Sequence, residues 1–299
     1  MKTFILFILT VYAIYQQITY AEVNCQQIKR KYSCKNGKSY PVHLTFDDGP
    51  RVKTTEKILN ILEKYQIKAT FFVTSHRIQP KRGNRVSPNS TYAKRIRLIR
   101  RMHAEGHTVG AHGHEHINHS LKYDESREEM SEFLERGRTD GTQVVVDGKP
   151  LGNWLTKPEL YRLPYGAGWM EKYRRDGLME MIKEHGYHHV GWHIDSVDYS
   201  PRVRRSKEGV LGKILRQTCK KKKDGIRGGI VLMHDIKDHT ADNLENWILA
   251  MKCLGHTFEP VHQFLRQSSI VNLCPNNDTD PRPLESGRLK QLTQPLQQL

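Results

Sequence analysis

Short apolar runs alternate with amphipathic stretches along most of this 299-residue chain. Residues 42–46, 69–73 and 108–111 predict strands, because β-branched and aromatic side chains dominate the first two runs. Between such runs, apolar residues three and four apart predict helices around residues 58–65, 96–102, 126–136, 178–182, 210–216 and 244–251. The alternation of strands and helices predicts a parallel sheet or a barrel with helices outside.

The pattern is less regular in the second half of the chain. Residues 143–146 precede Asp147-Gly148, which favours a short strand followed by a turn. Residues 189–194 predict one strand, and residues 229–233 predict a late strand. After Cys274 the composition shifts to Pro, Asn, Gln and Ser, so residues 275–299 are interpreted as a flexible polar tail.

The first 21 residues have the pattern of a cleavable export signal. Lys2 precedes an apolar run from Phe4 to Tyr15, and the segment ends in the small residue Ala21. The run is too short for a comfortable membrane span, although a retained anchor helix is the alternative. We therefore expect a secreted or periplasmic protein without stable membrane insertion, whose mature chain begins near Glu22.

The cysteines fit that compartment. Five are present, at positions 25, 34, 219, 253 and 274, which allows two disulfides and leaves one thiol over. A local bridge between Cys25 and Cys34, within an N-terminal lead-in at 22–39, is the simplest hypothesis. The pairing of the other three cysteines stays open.

The chain is strongly basic, with a formal net charge of +16. Basic residues cluster at 95–101, 202–205 and 220–223. Such a charge favours a polyanionic partner, although charge runs also occur on merely solvated surfaces. No groove-reading or aromatic-interleaved motif accompanies the clusters, which argues against nucleic acid. An anionic wall polymer suits an exported protein better.

Polar residues with catalytic potential begin at the end of the first predicted strand. Asp47 and Asp48 lie there, before Gly49-Pro50. Parallel α/β folds place their active sites at such strand ends. Because successive side chains of a strand point to opposite sides, one carboxylate can reach a metal while the other faces substrate. The alternative is an ordinary Asp-Gly-Pro turn.

A histidine cluster follows the third predicted strand. His112 and His116 are four residues apart, and two histidines with one carboxylate form a catalytic zinc set with an open position. A metalloprotease motif would need Glu directly after the first histidine, where Gly113 stands instead. Because further histidines crowd this segment, a surface histidine patch is the alternative interpretation.

Three later segments add polar residues to predicted loops and strand ends: 162–166, 195–199 and 232–235. They offer an arginine, two carboxylates and a histidine suited to proton transfer near neutral pH. Each has an ordinary explanation when taken alone, as a surface ion pair, a helix cap or a histidine at the edge of the core.

Five segments of the chain resemble, in order, the five motifs of the polysaccharide deacetylase family. They are Thr45-Phe46-Asp47-Asp48-Gly49-Pro50, His112-x-x-x-His116, Arg162-x-Pro164-Tyr165-Gly166, Asp195-x-x-Asp198-Tyr199 and Leu232-x-His234. This family, carbohydrate esterase family four, includes chitin and peptidoglycan deacetylases. The resemblance covers residues from about 40 to about 265. Tyr199 stands where the family usually has Trp, which leaves the shape of the sugar-binding wall open.

The resemblance implies a distorted (β/α) barrel in a single catalytic domain, at 40–274. It also implies a metal ion, Zn²⁺ with Co²⁺ or another divalent ion as alternatives, held by Asp48, His112 and His116. Asp47 would be the general base, supported by the charge of Arg162. The implied reaction is removal of N-acetyl groups from an amino-sugar polymer.

The remaining implied roles concern the leaving group and the acyl oxygen. His234 would protonate the departing amine, held by Asp198. The backbone N–H of Tyr165 would stabilise the oxyanion, and Leu232 would line the pocket for the acetyl methyl. Peptidoglycan is the expected substrate because it carries carboxylates, with chitin as the alternative; an inactive wall-binding protein is a third interpretation.

Overall fold

The computed structural model describes residues 23–79, 86–138, 144–170, 174–222 and 225–267. Its strands are β1 (Val42–Asp47), β2 (Thr70–Val73), β3 (Thr108–Ala111), β4 (Val145–Val146), β5 (Lys149–Pro150), β6 (Leu160–Tyr161), β7 (His188–His189), β8 (Ile194–Asp195) and β9 (Gly229–His234). Seven of them form one parallel sheet in the order β7-β6-β3-β2-β1-β9-β8, and β4 with β5 forms a separate antiparallel hairpin.

Helices follow most of the strands and cover the sheet. They are α1 (Cys25–Tyr32), α2 (Val52–Lys64), α3 (Thr91–Ala104), α4 (Tyr123–Arg138), α5 (Arg175–Glu184), α6 (Pro201–Arg204), α7 (Gly209–Thr218), α8 (Asp238–Cys253) and α9 (Val261–Gln267). Their apolar stripes face the sheet, as Ile58 and Leu62 of α2 and Ile96 of α3 show by being fully buried. Ser90 begins α3 by accepting a hydrogen bond from the Ala93 N–H.

The central strands explain why the apolar runs are continuous rather than alternating. All six residues of β1 are buried, because helices and the curled interior enclose it on both faces. The predicted distorted (β/α) barrel is confirmed as a curled half-barrel in a single domain, with one large and one smaller cluster of buried apolar residues. Registers across β1, β2 and β9 bring the carboxyl ends of these strands together, so that Asp47 pairs with Phe72 on one side and His234 on the other.

The predicted single strand at 189–194 is wrong. Its first residue, His189, belongs to β7 and its last, Ile194, to β8, and these two strands form opposite edges of the sheet. The intervening segment crosses the open side of the half-barrel, and the carbonyls of Val190 and Gly191 accept hydrogen bonds from the buried Arg162 side chain. Because a guanidinium takes these acceptors, the segment does not continue as a strand.

The local Cys25–Cys34 bridge is also wrong. Cys25 bonds to Cys253 at the end of α8, and Cys34 bonds to Cys219 at the end of α7. The two bonds join residues separated by 228 and 185 positions, so they attach the N-terminal segment to the far end of the chain. This segment contains α1, which the apolar pattern did not predict because it buries no residue completely. Cys274 lies outside the described residues.

The other predicted strands and helices occur close to their predicted positions. Strands β5 and β6 and helices α6 and α9 were not predicted, because each is too short to show a clear period. Within the described ranges, no helix has the length and hydropathy needed to cross a bilayer. The export signal predicted at 1–21 and the polar tail at 275–299 lie outside those ranges and stay predictions.

Candidate active site

The carboxyl ends of the parallel strands bring the polar residues together at one edge of the half-barrel. Asp47 is the last residue of β1 and His234 the last of β9. His112 directly follows β3, and Arg162 directly follows β6. Parallel sheets place functional groups at this edge because each chain leaves its strand there.

Asp48, His112 and His116 form a cluster whose possible ligand atoms all lie within 4.8 Å of one another. The Nε2 atoms of His112 and His116 lie 3.4 and 3.1 Å from Asp48 Oδ1. That oxygen is buried and has no hydrogen-bond partner of suitable geometry in the described part of the chain. Three electron-pair donors thus converge on one point, which fits a divalent cation with an open coordination position.

The tautomer of His112 suits this interpretation. Its Nδ1–H donates a 2.7 Å hydrogen bond to the backbone carbonyl of Arg162, which leaves Nε2 as the ring nitrogen that faces Asp48 and could bind a cation. Burial alone would raise the pKa of Asp48, but the two imidazoles outweigh it and hold that pKa far below its usual range. The carboxylate is therefore ionised, as a metal ligand must be.

The backbone around the cluster adopts left-handed conformations. Asp48, His116 and Tyr165 have φ angles of 76°, 56° and 58°. Non-glycine residues with positive φ are uncommon and are concentrated at functional sites, where surrounding contacts hold them in place. Here the ring of Tyr165 packs against that of His116, with 4.7 Å between centroids.

Asp47 is held by a completely buried arginine. Arg162 Nη1 donates to Asp47 Oδ1 at 2.8 Å and to Thr45 Oγ1 at 2.7 Å. Its guanidinium also stacks 4.2 Å from the centre of the Phe72 ring. These contacts fix the Asp47 carboxylate and leave its Oδ2, 3.7 Å from His112 Nε2, on the side of the cluster. The arrangement provides a rigidly held proton acceptor.

His234 belongs to a second buried pair. Its Nδ1–H donates to Asp198 Oδ1 at 2.6 Å, while its backbone N–H and the Thr240 hydroxyl donate to Asp198 Oδ2. Burial opposes the charged imidazole, but the hydrogen bond and charge of Asp198, with the charges of Asp47 and Asp48, raise the pKa of His234 to about 9. His234 is therefore protonated at neutral pH and can donate a proton.

One cavity of about 530 Å³ is lined by Asp47, His234 and the cluster of Asp48, His112 and His116. Its walls are partly apolar and aromatic: Leu163, Tyr165, Met170, Trp192, Tyr199 and Leu232. Tyr199 packs edge-on against the His234 ring, 5.6 Å between centroids, and keeps half of its surface exposed. An apolar wall beside a few convergent polar groups is the usual composition of a site for a small organic group or a sugar.

Comparison with known proteins decides the family. The family model for polysaccharide deacetylase matches residues 35–190, just over half of the chain. The chain belongs to the polysaccharide deacetylase family. The resemblance noted from the five motifs is thereby confirmed.

Named relatives in this family act on different polymers. A peptidoglycan-N-acetylglucosamine deacetylase of Bacillus cereus is 28% identical over 232 residues, covering 75% of this chain and 88% of that protein. The peptidoglycan-N-acetylmuramic acid deacetylase PdaA of Bacillus subtilis is 25% identical over 236 residues, covering 79% and 75%. Among solved structures, the chitin deacetylase of the fungal pathogen Colletotrichum lindemuthianum has a TM-score of 0.51 and 25% identity, covering 77% of this chain and 88% of that one.

All nine site residues that were predicted from the sequence lie at this site. Seven line the cavity: Asp47, Asp48, His112, His116, Tyr165, Leu232 and His234. The other two, Arg162 and Asp198, lie behind Asp47 and His234 and are fully buried. Thr45, which binds Arg162, was quoted in the first motif without a role, and Thr240, which binds Asp198, and Trp192 in the cavity wall were not predicted from the sequence. Their roles in a reaction stay predictions.

Glu129 is a further residue that was not predicted from the sequence. It comes from α4, and its Oε1 accepts hydrogen bonds from the backbone N–H groups of His114 and Glu115, at 2.7 and 3.0 Å. A Cβ at Gly113 would lie only 2.9 Å from that oxygen, so the glycine is needed for the approach. Glu129 thus fixes the loop between His112 and His116. No sequence signal identifies Glu129, because it lies 14 and 15 residues from the two backbone groups that it binds and because the adjacent Glu128 is identical in type.

Proposed function

We propose that this protein is a metal-dependent hydrolase that removes N-acetyl groups from amino sugars of a cell-wall polymer. One observation carries the proposal. The Asp48, His112 and His116 cluster, a fixed carboxylate and a protonated histidine share the same cavity. Amide hydrolysis needs these three components, namely an activated water, a proton acceptor and a proton donor for the amine.

Asp48, His112 and His116 would hold the metal, with Zn²⁺ the expected ion because one carboxylate and two imidazoles form a known catalytic zinc set. Bound there, a divalent cation supplies Lewis-acid chemistry towards a water molecule and an acyl oxygen. The hydrogen bond from His112 to the Arg162 carbonyl orients the imidazole for this task.

Two residues move protons in the proposed reaction. Asp47 accepts the proton of the attacking water, since Arg162 immobilises its Oδ1 and leaves Oδ2 available. His234 donates a proton to the departing amine nitrogen, and Asp198 keeps it oriented and charged. The products are acetate and a free amino sugar.

Two further residues would position the acetyl group. The backbone N–H of Tyr165 would donate to the developing oxyanion, an arrangement that stabilises the tetrahedral transition state. Leu232, nearly buried in the cavity wall, would contact the acetyl methyl. An apolar contact of this kind favours acetyl over a longer or charged acyl group.

Peptidoglycan is the proposed substrate. Two relatives are peptidoglycan deacetylases, and a net charge of +16 complements an anionic polymer. Export by a signal at residues 1–21 would bring the catalytic domain at 40–274 to the wall. The similarity to a chitin deacetylase supports neutral chitin as the second candidate.

The test uses the purified protein, loaded with zinc and stripped by a chelator, on an N-acetylated amino-sugar oligosaccharide. The loaded protein should contain about one zinc per chain and release acetate, and the stripped protein should regain activity with Zn²⁺ or Co²⁺. His116→Ala should lose the metal. Full activity in metal-free protein, or zinc retained without His116, contradicts the proposal.

A further inference from the structure

A second cavity of about 440 Å³ lies beside β8 and the end of α7. Its charged lining residues are Lys213, Arg216, Lys220, Lys221, Lys222 and Asp195. Five cations thus surround the space, and Asp195 is the only carboxylate among the lining residues that the structure describes. This cavity is separate from the catalytic groups described above.

Three of these cations have no acidic partner. Arg216 forms an ion pair with Glu208, and Lys222 Nζ donates to the backbone carbonyls of Gln217 and Lys220. Lys213, Lys220 and Lys221 are exposed, and within the described ranges they form no ion pair. Like charges that converge on one concave space repel one another, and an anion in that space relieves the repulsion.

The basic cavity shares a wall with the active-site cavity. Asp195 lines both. Gln217 of α7 fixes this wall twice, since the Asp195 N–H donates to Gln217 Oε1 at 3.2 Å and Gln217 Nε2 donates to the Asp195 carbonyl at 2.8 Å. A branched ligand held in the active-site cavity can therefore extend a side branch across β8 to a basic site at a fixed position.

We propose that the basic cavity binds a carboxylate on a side branch of the polymer whose amino sugar occupies the active-site cavity. This inference rests on the proposed function and specifies its substrate as an acidic, branched glycan. A neutral linear polymer would occupy the active-site cavity alone and leave the three lysines without a partner. The basic cavity thus discriminates between polymers through charge, while the catalytic residues do not.

The test compares two probes and two triple variants. The probes are a peptidoglycan disaccharide bearing its acidic stem peptide, and neutral chitotetraose. The first variant is Lys213→Ser with Lys220→Ser and Lys221→Ser. The control variant removes three exposed lysines from elements that line neither cavity, Lys53→Ser, Lys94→Ser and Lys149→Ser, so both variants lose the same charge.

Equilibrium binding of the acidic probe should weaken about tenfold in the first variant, as expected for three surface charge contacts, and the loss should shrink at high salt. The control variant should lose less than about twofold, and binding of chitotetraose should be unchanged in both. Deacetylation of each probe is measured in parallel. If neither probe is deacetylated, the proposed function fails, while the binding comparison still tests the basic cavity.

Equal weakening in the two triple variants would overturn the inference, because the effect would then come from net charge rather than from this cavity. So would equal losses for the acidic and neutral probes. A duplex DNA oligonucleotide that bound as tightly as the acidic probe, with the same dependence on the three lysines, would also overturn it by making the cavity a general polyanion site.

Discussion

The contact between Glu129 and the loop that carries His112 and His116 makes a quantitative prediction. Glu129→Ala removes a buried acceptor from two backbone N–H groups, at 2.7 and 3.0 Å. Hydrogen bonds to charged acceptors contribute about 1.5–3 kcal/mol each, so the free energy of unfolding should fall by about 3 kcal/mol or more. That is a large share of the roughly 5–15 kcal/mol of a typical domain.

The same change should weaken metal binding, because the loop between two of the candidate ligands loses its anchor. Loss of a supporting contact of this kind lowers metal affinity by about 10- to 100-fold. Glu129→Gln should have a smaller effect, since the amide oxygen can still accept both hydrogen bonds and only the contribution of the charge is lost. Chemical denaturation and zinc titration measure the two quantities.

The adjacent Glu128 provides the matched control. It lies on the same helix but is exposed, so Glu128→Ala should change stability by less than about 0.5 kcal/mol and leave zinc affinity unchanged. Equal stability and equal zinc affinity of Glu128→Ala and Glu129→Ala would refute the proposed role of Glu129. So would a Glu129→Ala protein that unfolds earlier yet binds zinc as tightly as the wild type, because the anchor would then have no connection to the ligands.

Three further predictions concern the proton-transfer groups and the disulfides. Asp47→Asn and His234→Ala should each lower kcat on the order of a hundredfold or more with metal content nearly intact, and loss of metal from Asp47→Asn would contradict its assignment as base. Asp198→Asn removes the main cause of the raised pKa of His234. Because the proton donor must be protonated, the alkaline limb of the pH profile of kcat/KM should move to lower pH by at least about one pH unit. An unmoved limb would refute His234 as the acid. Breaking the Cys34–Cys219 bond with Cys34→Ser should lower stability by about 2–4 kcal/mol, seen as a lower Tm, and an unchanged Tm in oxidised protein would contradict that bond.

The fold was largely predictable because its strands are buried on both faces. Continuous apolar runs such as 42–46 and 69–73 are typical of parallel strands, and amphipathic helices separate them. The error at 189–194 had a physical cause that no local pattern shows. The chain there binds the guanidinium of Arg162 through two carbonyls and joins opposite edges of the sheet.

The candidate site was predictable to the extent that its residues follow strand ends. Supporting contacts across long sequence distances were not predictable. Glu128 and Glu129 are adjacent and identical in type, and only the packing of α4 decides which one is buried. The disulfides were missed for a similar reason, because Cys25 and Cys34 are near neighbours in sequence while their actual partners follow late in the chain.

We propose that the Asp48, His112 and His116 cluster supports deacetylation of a wall amino sugar. Mass analysis of a defined peptidoglycan fragment, incubated with zinc-loaded protein, tests it most directly. We expect a loss of about 42 Da per deacetylated sugar with free acetate in equal amount, no change with chelated protein, and a loss at least about a hundredfold slower with Asp47→Asn. An unchanged mass with zinc-loaded protein, or the same loss from chelated protein, would contradict it.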